Sequence, residues 1–375
     1  MKKAKLHIWV PELLARTGGI QNYSIEMVEA ALAVLGAGRV TLLSKSDRVG
    51  ELEGRYGESV GIRASGDIPE RVRTPVFAVR LLLAARRERP ALVISTHPHF
   101  APAAAWLQKI YSIPAAVSAY GMEVWDLGPG RLRRSLSRME RILPISHHTR
   151  KRMEEEIGLA AERFRVIPVT FDSERFSPGP PPPGLRKRYG ISPNDRVLLC
   201  VSRLVASRQD KGYARVVEII PRLLPDFPAL RFLIVGEGSD RPNVERRVRE
   251  LGLEERVILA GYVPDEELPD HYRMADGFAM PSLREGFGIV FLEAMGCGKR
   301  CLGGNRDGAV DALRGGELGI LVDPESPEKL EEGLRRLLFE PAPDPVELHK
   351  RVDRHFGREV FRNQVAGLLA EFGFP

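Results

Sequence analysis

The sequence predicts an α/β protein made of two parallel-sheet domains, and three observations predict it. Both halves alternate short apolar runs with amphipathic stretches, the pattern of a strand followed by a crossover helix. At 375 residues the chain exceeds what one hydrophobic core ordinarily serves. The run Ser177-Pro-Gly-Pro-Pro-Pro-Pro-Gly184 cannot join a sheet or a helix interior, so it marks a stiff connector between the halves. The expected division is a first domain over 1–176, a linker over 177–184, a second domain over 185–355 and a last helix within 356–375.

The apolar runs of the first half place strands at Leu6–Val10, Val40–Leu43, Leu92–Thr96, Ala115–Ala119, Ile142–Ser146 and Arg165–Val169. Directly after Gly18-Gly19, the residues Ile20, Ser24, Met27, Val28, Ala31, Leu32 and Leu35 trace one helical face. A glycine loop opening a helix at the end of a first strand is a phosphate-cradling arrangement. In the second half the strands fall at Val197–Ser202, Arg231–Val235, Val257–Ala260, Gly277–Met280, Arg300–Leu302 and Ile320–Val322. A final helix, Phe356–Phe372, turns Val360, Phe361, Val365, Leu368 and Leu369 inward.

Composition excludes several classes. With 43% hydrophobic and 28% charged residues the chain is an ordinary soluble globular protein. No stretch has the length of apolar sequence that a bilayer requires. The start, Met1 to Val10, has a charged head, but its apolar part ends at Pro11 and reads as a core strand rather than a secretion signal. Cys200, Cys297 and Cys301 are odd in number with no Cys-x-x-Cys pair, as expected of reduced thiols in a cytoplasmic protein. Residues 1–175 hold 27 Lys+Arg against 19 Asp+Glu, the remainder 29 against 31. The basic surplus in the first half favours an anionic partner there, such as a membrane surface, a phosphorylated lipid or an acidic glycan. Nucleic acid is disfavoured, since no recognition motif and no aromatic–basic interleaving accompanies the charge.

The densest chemistry lies in Pro281-Ser-Leu-Arg-Glu-Gly-Phe-Gly-Ile-Val-Phe-Leu-Glu-Ala-Met295. A strand ends near Ser282 and a helix begins near Gly288. The first-turn amides around Gly286, Phe287, Gly288 and Ile289, with the helix dipole, suit a phosphate. Glu285 then stands just ahead of the helix, and Glu293 lies about 7.5 Å along its axis. One carboxylate can meet a sugar hydroxyl and the other a ribose. Upstream, Arg203 follows the first strand of the second domain, and Lys211, in Arg208-Gln-Asp-Lys-Gly-Tyr213, sits just before a helix. A guanidinium and an ammonium at the carboxyl edge of a parallel sheet suit a departing diphosphate. Alone they would read as two solvated loop cations; the paired glutamates downstream in the same domain change that. Gly236-Glu-Gly238 after the next strand permits close nucleotide approach, or simply a tight turn. Neither half has a Gly-x-Gly-x-x-Gly between strand and helix, which argues against a nicotinamide dehydrogenase.

Together these motifs, continuing into Gly303-Gly-Asn-Arg-Asp-Gly308 and Gly319-Ile-Leu-Val-Asp-Pro324, resemble glycosyltransferase family 4, the retaining transferases of GT-B fold. The likeness covers nearly all of the second half and, in the first, mainly the glycine loop. It implies two Rossmann-like domains facing across a cleft, with the last helix crossing back to the first domain. It implies that Arg203 and Lys211 hold the donor diphosphate and assist its departure, that Glu285 contacts the transferred sugar, and that Glu293 binds ribose hydroxyls. It implies further that Gly18 and Gly19 line the cleft opposite the donor phosphate. No metal or other cofactor is implied, since Arg and Lys take a metal's place. Family members commonly carry His-Gly where this chain has Tyr120-Gly121. The orienting role of that imidazole is then lost or passes to Tyr120, His97 or His99, with Glu123 nearby as a further sugar or acceptor contact. Loop histidines bonded to nearby backbone are the plainer reading of His97 and His99.

The expected partners are a nucleotide-diphosphate sugar and a glycan or lipid-linked hydroxyl acceptor, with transfer at the inner face of the membrane. A helix over Arg131–Arg141, with Leu132, Leu136 and Met139 on one side and arginines largely on the other, either rests on anionic lipid or packs on its sheet with arginines in water. A sugar-nucleotide epimerase on the same scaffold and a non-catalytic nucleotide-sugar binding protein are the competing functions.

Overall fold

The computed structural model describes residues 4–15, 18–205 and 210–375. Part of the motif around Lys211, including Arg208 and Gln209, lies outside the described residues, as do the first three residues of the charged head. The chain divides into two units. The first runs β1 (Leu6–Val10), α1 (Gly19–Leu35), β2 (Val40–Ser44), α2 (Val49–Tyr56), β3 (Gly61–Ala64), α3 (Glu70–Glu88), β4 (Leu92–Ser95), α4 (Ala101–Tyr111), β5 (Ala115–Ala119), α5 (Arg131–Leu136), β6 (Arg141–Pro144) and α6 (His147–Ile157). The second runs α7 (Leu185–Arg188), β7 (Arg196–Val201), α8 (Tyr213–Leu223), β8 (Leu230–Val235), α9 (Arg241–Glu250), β9 (Val257–Gly261), α10 (Leu268–Met274), β10 (Gly277–Met280), α11 (Ile289–Gly296), β11 (Cys301–Gly304), α12 (Ala309–Ala312), β12 (Ile320–Val322), α13 (Pro327–Phe339) and α14 (Pro345–Phe356). The last helix, α15 (Arg358–Glu371), returns to the first unit. There it packs on α1, where Phe361 meets Tyr23 edge to face at 5.5 Å and Arg358 pairs with Glu26.

Each unit holds a six-stranded parallel sheet, in order β3-β2-β1-β4-β5-β6 and β12-β11-β10-β7-β8-β9. Every residue of β1, β2, β4 and β5 is buried, because crossover helices cover both faces and polar alternation has no place. In each sheet the strand order reverses beside the first strand. The reversal falls between β1 and β4 in one and between β7 and β10 in the other. Loops diverge there at the carboxyl edge and leave a crevice, the usual ligand position of an open α/β sheet.

Three expectations need correction. β3 was not anticipated: Gly61 and Arg63 are exposed on this edge strand, so it lacks an apolar run. Arg165–Val169 is not a strand. Its backbone follows β6, with Arg165 N donating to Ile142 O at 2.9 Å and Ile167 N to Pro144 O at 3.0 Å, but Pro168 has no N–H to continue a ladder. The helix expected over Arg131–Arg141 stops at Leu136, and Arg141 opens β6 and pairs with Glu371. The contact division falls after Thr170, ahead of the proline run. That run packs with the second unit, Arg273 Nε donating to Ser177 O at 2.9 Å. Among the described residues no helix is long and apolar enough to cross a membrane.

Candidate active site

In the second unit, the loops after β7, β8, β10 and β11 meet at the carboxyl edge. Lys211 follows β7 and Glu285 follows β10, one on each side of the strand-order reversal. Their side chains pair, Lys211 Nζ donating to Glu285 Oε2 at 2.7 Å, with 14% and 17% of the side chains exposed. Burial pushes the Glu285 carboxyl up. The Lys211 charge and hydrogen bond, with the Phe287 and Gly286 amides, outweigh it and hold the group below its ordinary value. The Gly286 amide donates to Glu285 Oε1 at 3.0 Å.

Backbone contacts fix both members of the pair. Leu283 N donates to Asp210 O at 3.1 Å, and Arg215 clamps Asp210 and Pro281 O together. Gly212 adopts φ 79°, where an added Cβ would overlap the Pro281 carbonyl, so the Lys211 loop lies directly on the β10 loop. From the other side, Asp307 accepts the Glu285 amide at 2.8 Å and the Ala309 amide at 3.0 Å. Gly308 N donates to Glu285 O at 2.8 Å. Asp307 is buried, which pushes its carboxyl up to about 7.

Gly288 caps α11 with φ 90°, and an added Cβ would strike the Phe291 ring. Ile289 opens the helix, while the Phe287 ring turns into the core against Phe356 at 5.5 Å, leaving backbone rather than ring toward the loop. Glu293 lies one turn further along α11, 7% exposed, accepting from Tyr272 Oη at 2.7 Å. Burial pushes its carboxyl up to about 7, against the lowering effect of the tyrosine and Arg175. Arg203 is exposed after β7. Gly236 and Gly238 adopt φ 133° and 157°, and a Cβ on either would overlap the carbonyl oxygens of Ser202 and Leu204. Their lack of side chains lets the β7 and β8 loops interlock, with Leu204 N donating to Glu237 O at 2.9 Å.

In the first unit Gly18 precedes α1 and Gly19 opens it, with no side-chain cap and open space where a Gly19 Cβ would stand. Asp47, fully buried, accepts the Leu13, Leu14 and Ala15 amides at 2.7, 2.9 and 2.9 Å, fixing the segment leading to the glycines. Across the β1/β4 reversal, Ser24 Oγ donates to Thr96 Oγ1 at 2.7 Å. His97 is half-buried, and its Nδ1 accepts from His99 N at 3.2 Å. Burial and the neighbouring His99 and Lys45 push its imidazole down to about 4, so it is neutral at pH 7. Tyr120 Oη donates to Thr96 O at 2.6 Å, and its ring meets Tyr23 edge to face at 5.3 Å, so its one hydroxyl proton is committed to the fold. Glu123 Oε1 accepts from Tyr120 N at 2.5 Å and Gly121 N at 3.1 Å. The second unit thus brings Lys211, Glu285 and the Gly286–Ile289 turn together. Asp307, Tyr272 and Asp47 are the supports that sequence reasoning missed. Only Asp307 had a signal, its place in the Gly303–Gly308 loop.

A parallel-sheet pair with these loops is the GT-B architecture. Solved structures share it along nearly the whole chain at 18% identity. A glycosyltransferase from Rickettsia africae superimposes with TM-score 0.79, covering 99% of both chains. The Anabaena protein HepE in complex with UDP and glucose gives 0.78, covering 98% of this chain and 100% of that one. The family model "Glycosyl transferases group 1" matches residues 183–355, and "Glycosyltransferase Family 4" matches 17–175. The chain belongs to glycosyltransferase family 4. Among curated relatives, the GDP-mannose-dependent alpha-(1-6)-phosphatidylinositol monomannoside mannosyltransferase of Mycolicibacterium smegmatis is 34% identical over 237 residues, 60% of each chain. The alpha-D-kanosaminyltransferase of Streptomyces kanamyceticus is 25% identical over 352 residues, 86% of each. The chain thus matches about 60% of the length of the mannosyltransferase relatives.

Proposed function

We propose that the protein transfers a hexosyl group from a nucleoside-diphosphate sugar to a hydroxyl acceptor, keeping the anomeric configuration. The observation that carries this reading is the Lys211–Glu285 pair at the β7/β10 reversal, 2.7 Å apart and backed by Asp307. The relatives' names favour GDP-mannose as donor and a lipid-borne acceptor. The basic surplus of the first half suits an anionic acceptor at the inner membrane face.

In this reading Lys211 and Arg203 bind the donor diphosphate. The bond from the anomeric carbon to phosphate oxygen breaks, with its electron pair leaving on the phosphate, where the two cations stabilise the growing charge. The acceptor oxygen then bonds to the same face of that carbon, and its proton passes to the departing phosphate. Glu285 receives hydroxyls of the transferred sugar, and its pairing with Lys211 keeps it ionised for that purpose. The amides at Phe287 and Gly288 and the opening turn at Ile289 face the sugar and phosphate, and Glu293 accepts from the ribose. On the acceptor side, Gly18 and Gly19 leave room at the start of α1, with the half-buried His97 and exposed His99 beside them. Tyr120 and Glu123 shape that wall through the backbone they hold.

The test incubates the protein with GDP-mannose, and separately with UDP- and ADP-glucose, with and without a membrane lipid extract. Release of nucleoside diphosphate that depends on the extract, with an α-linked product by NMR, supports the reading. A converted donor sugar without acceptor identifies an epimerase and overturns it, and donor binding with no turnover identifies a binding protein.

A further inference from the structure

We propose that the groove between α3 and α4 holds one acyl chain of a phosphate-bearing lipid, the acceptor of the transfer reaction, and this inference rests on the function proposed above. The groove encloses about 460 Å³, within the range of ligand-binding cavities. Phe77 and Leu81 floor it, Ala78 and Ala103 form its sides, and Trp106 stands at its rim. Its α3 positions, Thr74, Pro75, Phe77, Ala78, Leu81 and Leu82, recur at helical spacing, so a single face of that helix lines it.

The surface around the groove is apolar where a solvated helix would be polar. Val79, Leu83, Trp106 and Ile110 are 55%, 46%, 57% and 52% exposed. Trp106 lines the groove itself and the other three stand on the same two helices, and apolar exposure gathered on neighbouring helices suits a binding surface. Basic residues predominate around it. The α3 helix carries five Lys+Arg against its two terminal glutamates, Glu70 and Glu88, α4 carries one and no acid, and 131–140 carries four against Glu140. A phosphate-bearing amphiphile satisfies both features at once, whereas an acidic peptide would leave the apolar floor unfilled.

The groove also has a direction. His99 and Arg131 line it where α4 begins, at the carboxyl edge of the sheet, the edge that carries Gly18 and Gly19. Trp106 lies five residues into α4, about 7.5 Å down the helix from that edge. An occupant with its phosphate at Arg131 and its chain toward Trp106 would hold its hydroxyls at the proposed acceptor site. Arg133 and Arg134 line a second hollow of about 330 Å³ on α5, ready for further headgroup charge.

Trp106 makes the proposal measurable, since Trp9 and Trp125 are 0% and 4% exposed. The probe is bromododecyl phosphate below its micelle concentration, titrated while tryptophan fluorescence is recorded. We expect saturable one-to-one quenching that disappears in Trp106→Phe. Affinity of the unbrominated alkyl phosphates, measured by competition, should fall about tenfold for each two carbons removed. Ala103→Phe, which fills the groove, and the surface change Arg131→Glu should each weaken binding at least tenfold, with circular dichroism and Tm verifying their folds. Absent quenching, quenching only by vesicles, or quenching insensitive to chain length and to both variants overturns the groove proposal. In parallel, sugar transfer is compared for a diacyl acceptor and its water-soluble deacylated form. Equal use of both, without amphiphile binding, overturns the groove and leaves the transferase reading standing. Amphiphile binding with no transfer to either overturns the acceptor assignment and the transferase reading together.

Discussion

Glu293 offers the sharpest check on how the donor is held. Its carboxyl is buried on α11 and titrates at about 7, with Tyr272 Oη at 2.7 Å. A ribose diol donates hydrogen bonds, so it prefers the ionised carboxylate. A single site at about 7 is roughly one-tenth ionised at pH 6 and nine-tenths at pH 8. Affinity for an intact nucleoside-diphosphate sugar, whose phosphates do not titrate in that window, should therefore rise about tenfold from pH 6 to pH 8. Calorimetry at both pH values on the wild type and Glu293→Gln measures it; the amide variant should bind with a flat profile. Stability carries the opposite sign. The unfolded carboxyl ionises near 4.5 and the folded one at about 7, so the contribution is full below 4.5 and lost as pH rises through 7. The loss is about 3 kcal/mol at most. Asp307 also titrates at about 7, so the difference between wild type and Glu293→Gln, rather than the wild-type slope alone, isolates Glu293. An affinity that does not change with pH, or the same slope in the glutamine variant, refutes the assignment of Glu293 to the ribose.

Lys211→Ala removes the cation beside Glu285, and kcat should fall by roughly two to three orders of magnitude; steady-state kinetics of the double variant with Glu285→Ala should show a loss well short of the sum of the singles. Glu285→Ala alone should lower turnover while Glu293→Ala mainly raises the donor KM, and equal losses of both parameters in the two variants would contradict that division. Gly236→Ala places a Cβ on the Ser202 carbonyl at φ 133°, and denaturant unfolding should report a loss of about 2 kcal/mol or more. Glu88 accepts from Thr41 Oγ1 and Arg63 Nη2, both at 2.7 Å, and sits 3.2 Å from the fully buried His7 Nε2. The His7 hydrogen bond, aided by those of Arg63 and Thr41, overcomes burial and holds its carboxyl far below 4.5. Its stabilising contribution is present above pH 4.5 and lost as the pH falls below it. Glu88→Gln should cost about 1–2 kcal/mol at neutral pH, because its partners Arg63 and Lys5 are about half exposed and screened, and should flatten the acid limb of the stability curve.

Much of this architecture was legible because covered parallel strands leave a plain trace. β1 and β5 are buried at every position, and a short run that is apolar but for one residue (His7, Ser118) has few other readings. β3 escaped notice because an edge strand needs no such run, and Arg165–Val169 misled because apolar residues packed beside β6 look like a strand until Pro168 is weighed. At the site, the Gly288 cap and the placement of Glu285 before α11 follow from local spacing, and so were readable. The hold of Asp307 on the Glu285 amide spans 22 positions and exists only once β10 and β11 pair. Gly236 and Gly238 look like a nucleotide turn in sequence. Their immediate physical cause is the carbonyls of Ser202 and Leu204, on a loop that no local pattern connects to them.

The electrostatics of the second unit follow from one asymmetry among its buried carboxyls. Glu285, Glu293 and Asp307 all lose solvent, and burial pushes each of them up. Among the described residues Glu285 has Lys211 against it and is held below its ordinary value, whereas Glu293, despite the lowering effect of Arg175, and Asp307 sit at about 7. Below pH 7 the ionised carboxyl among the three is therefore chiefly the one that Lys211 already balances. A diphosphate approaching this edge below pH 7 meets a neutralised pair rather than three anions. Further ionisation of Glu293 adds its charge within α11, where a ribose would receive it. Asp307 has an amide on each of its oxygens, which leaves it as the brace of the Glu285 loop. The same burial that makes these carboxyls costly to ionise thus gives each a separate task, and the 2.7 Å contact with Lys211 decides which one is held below its ordinary value.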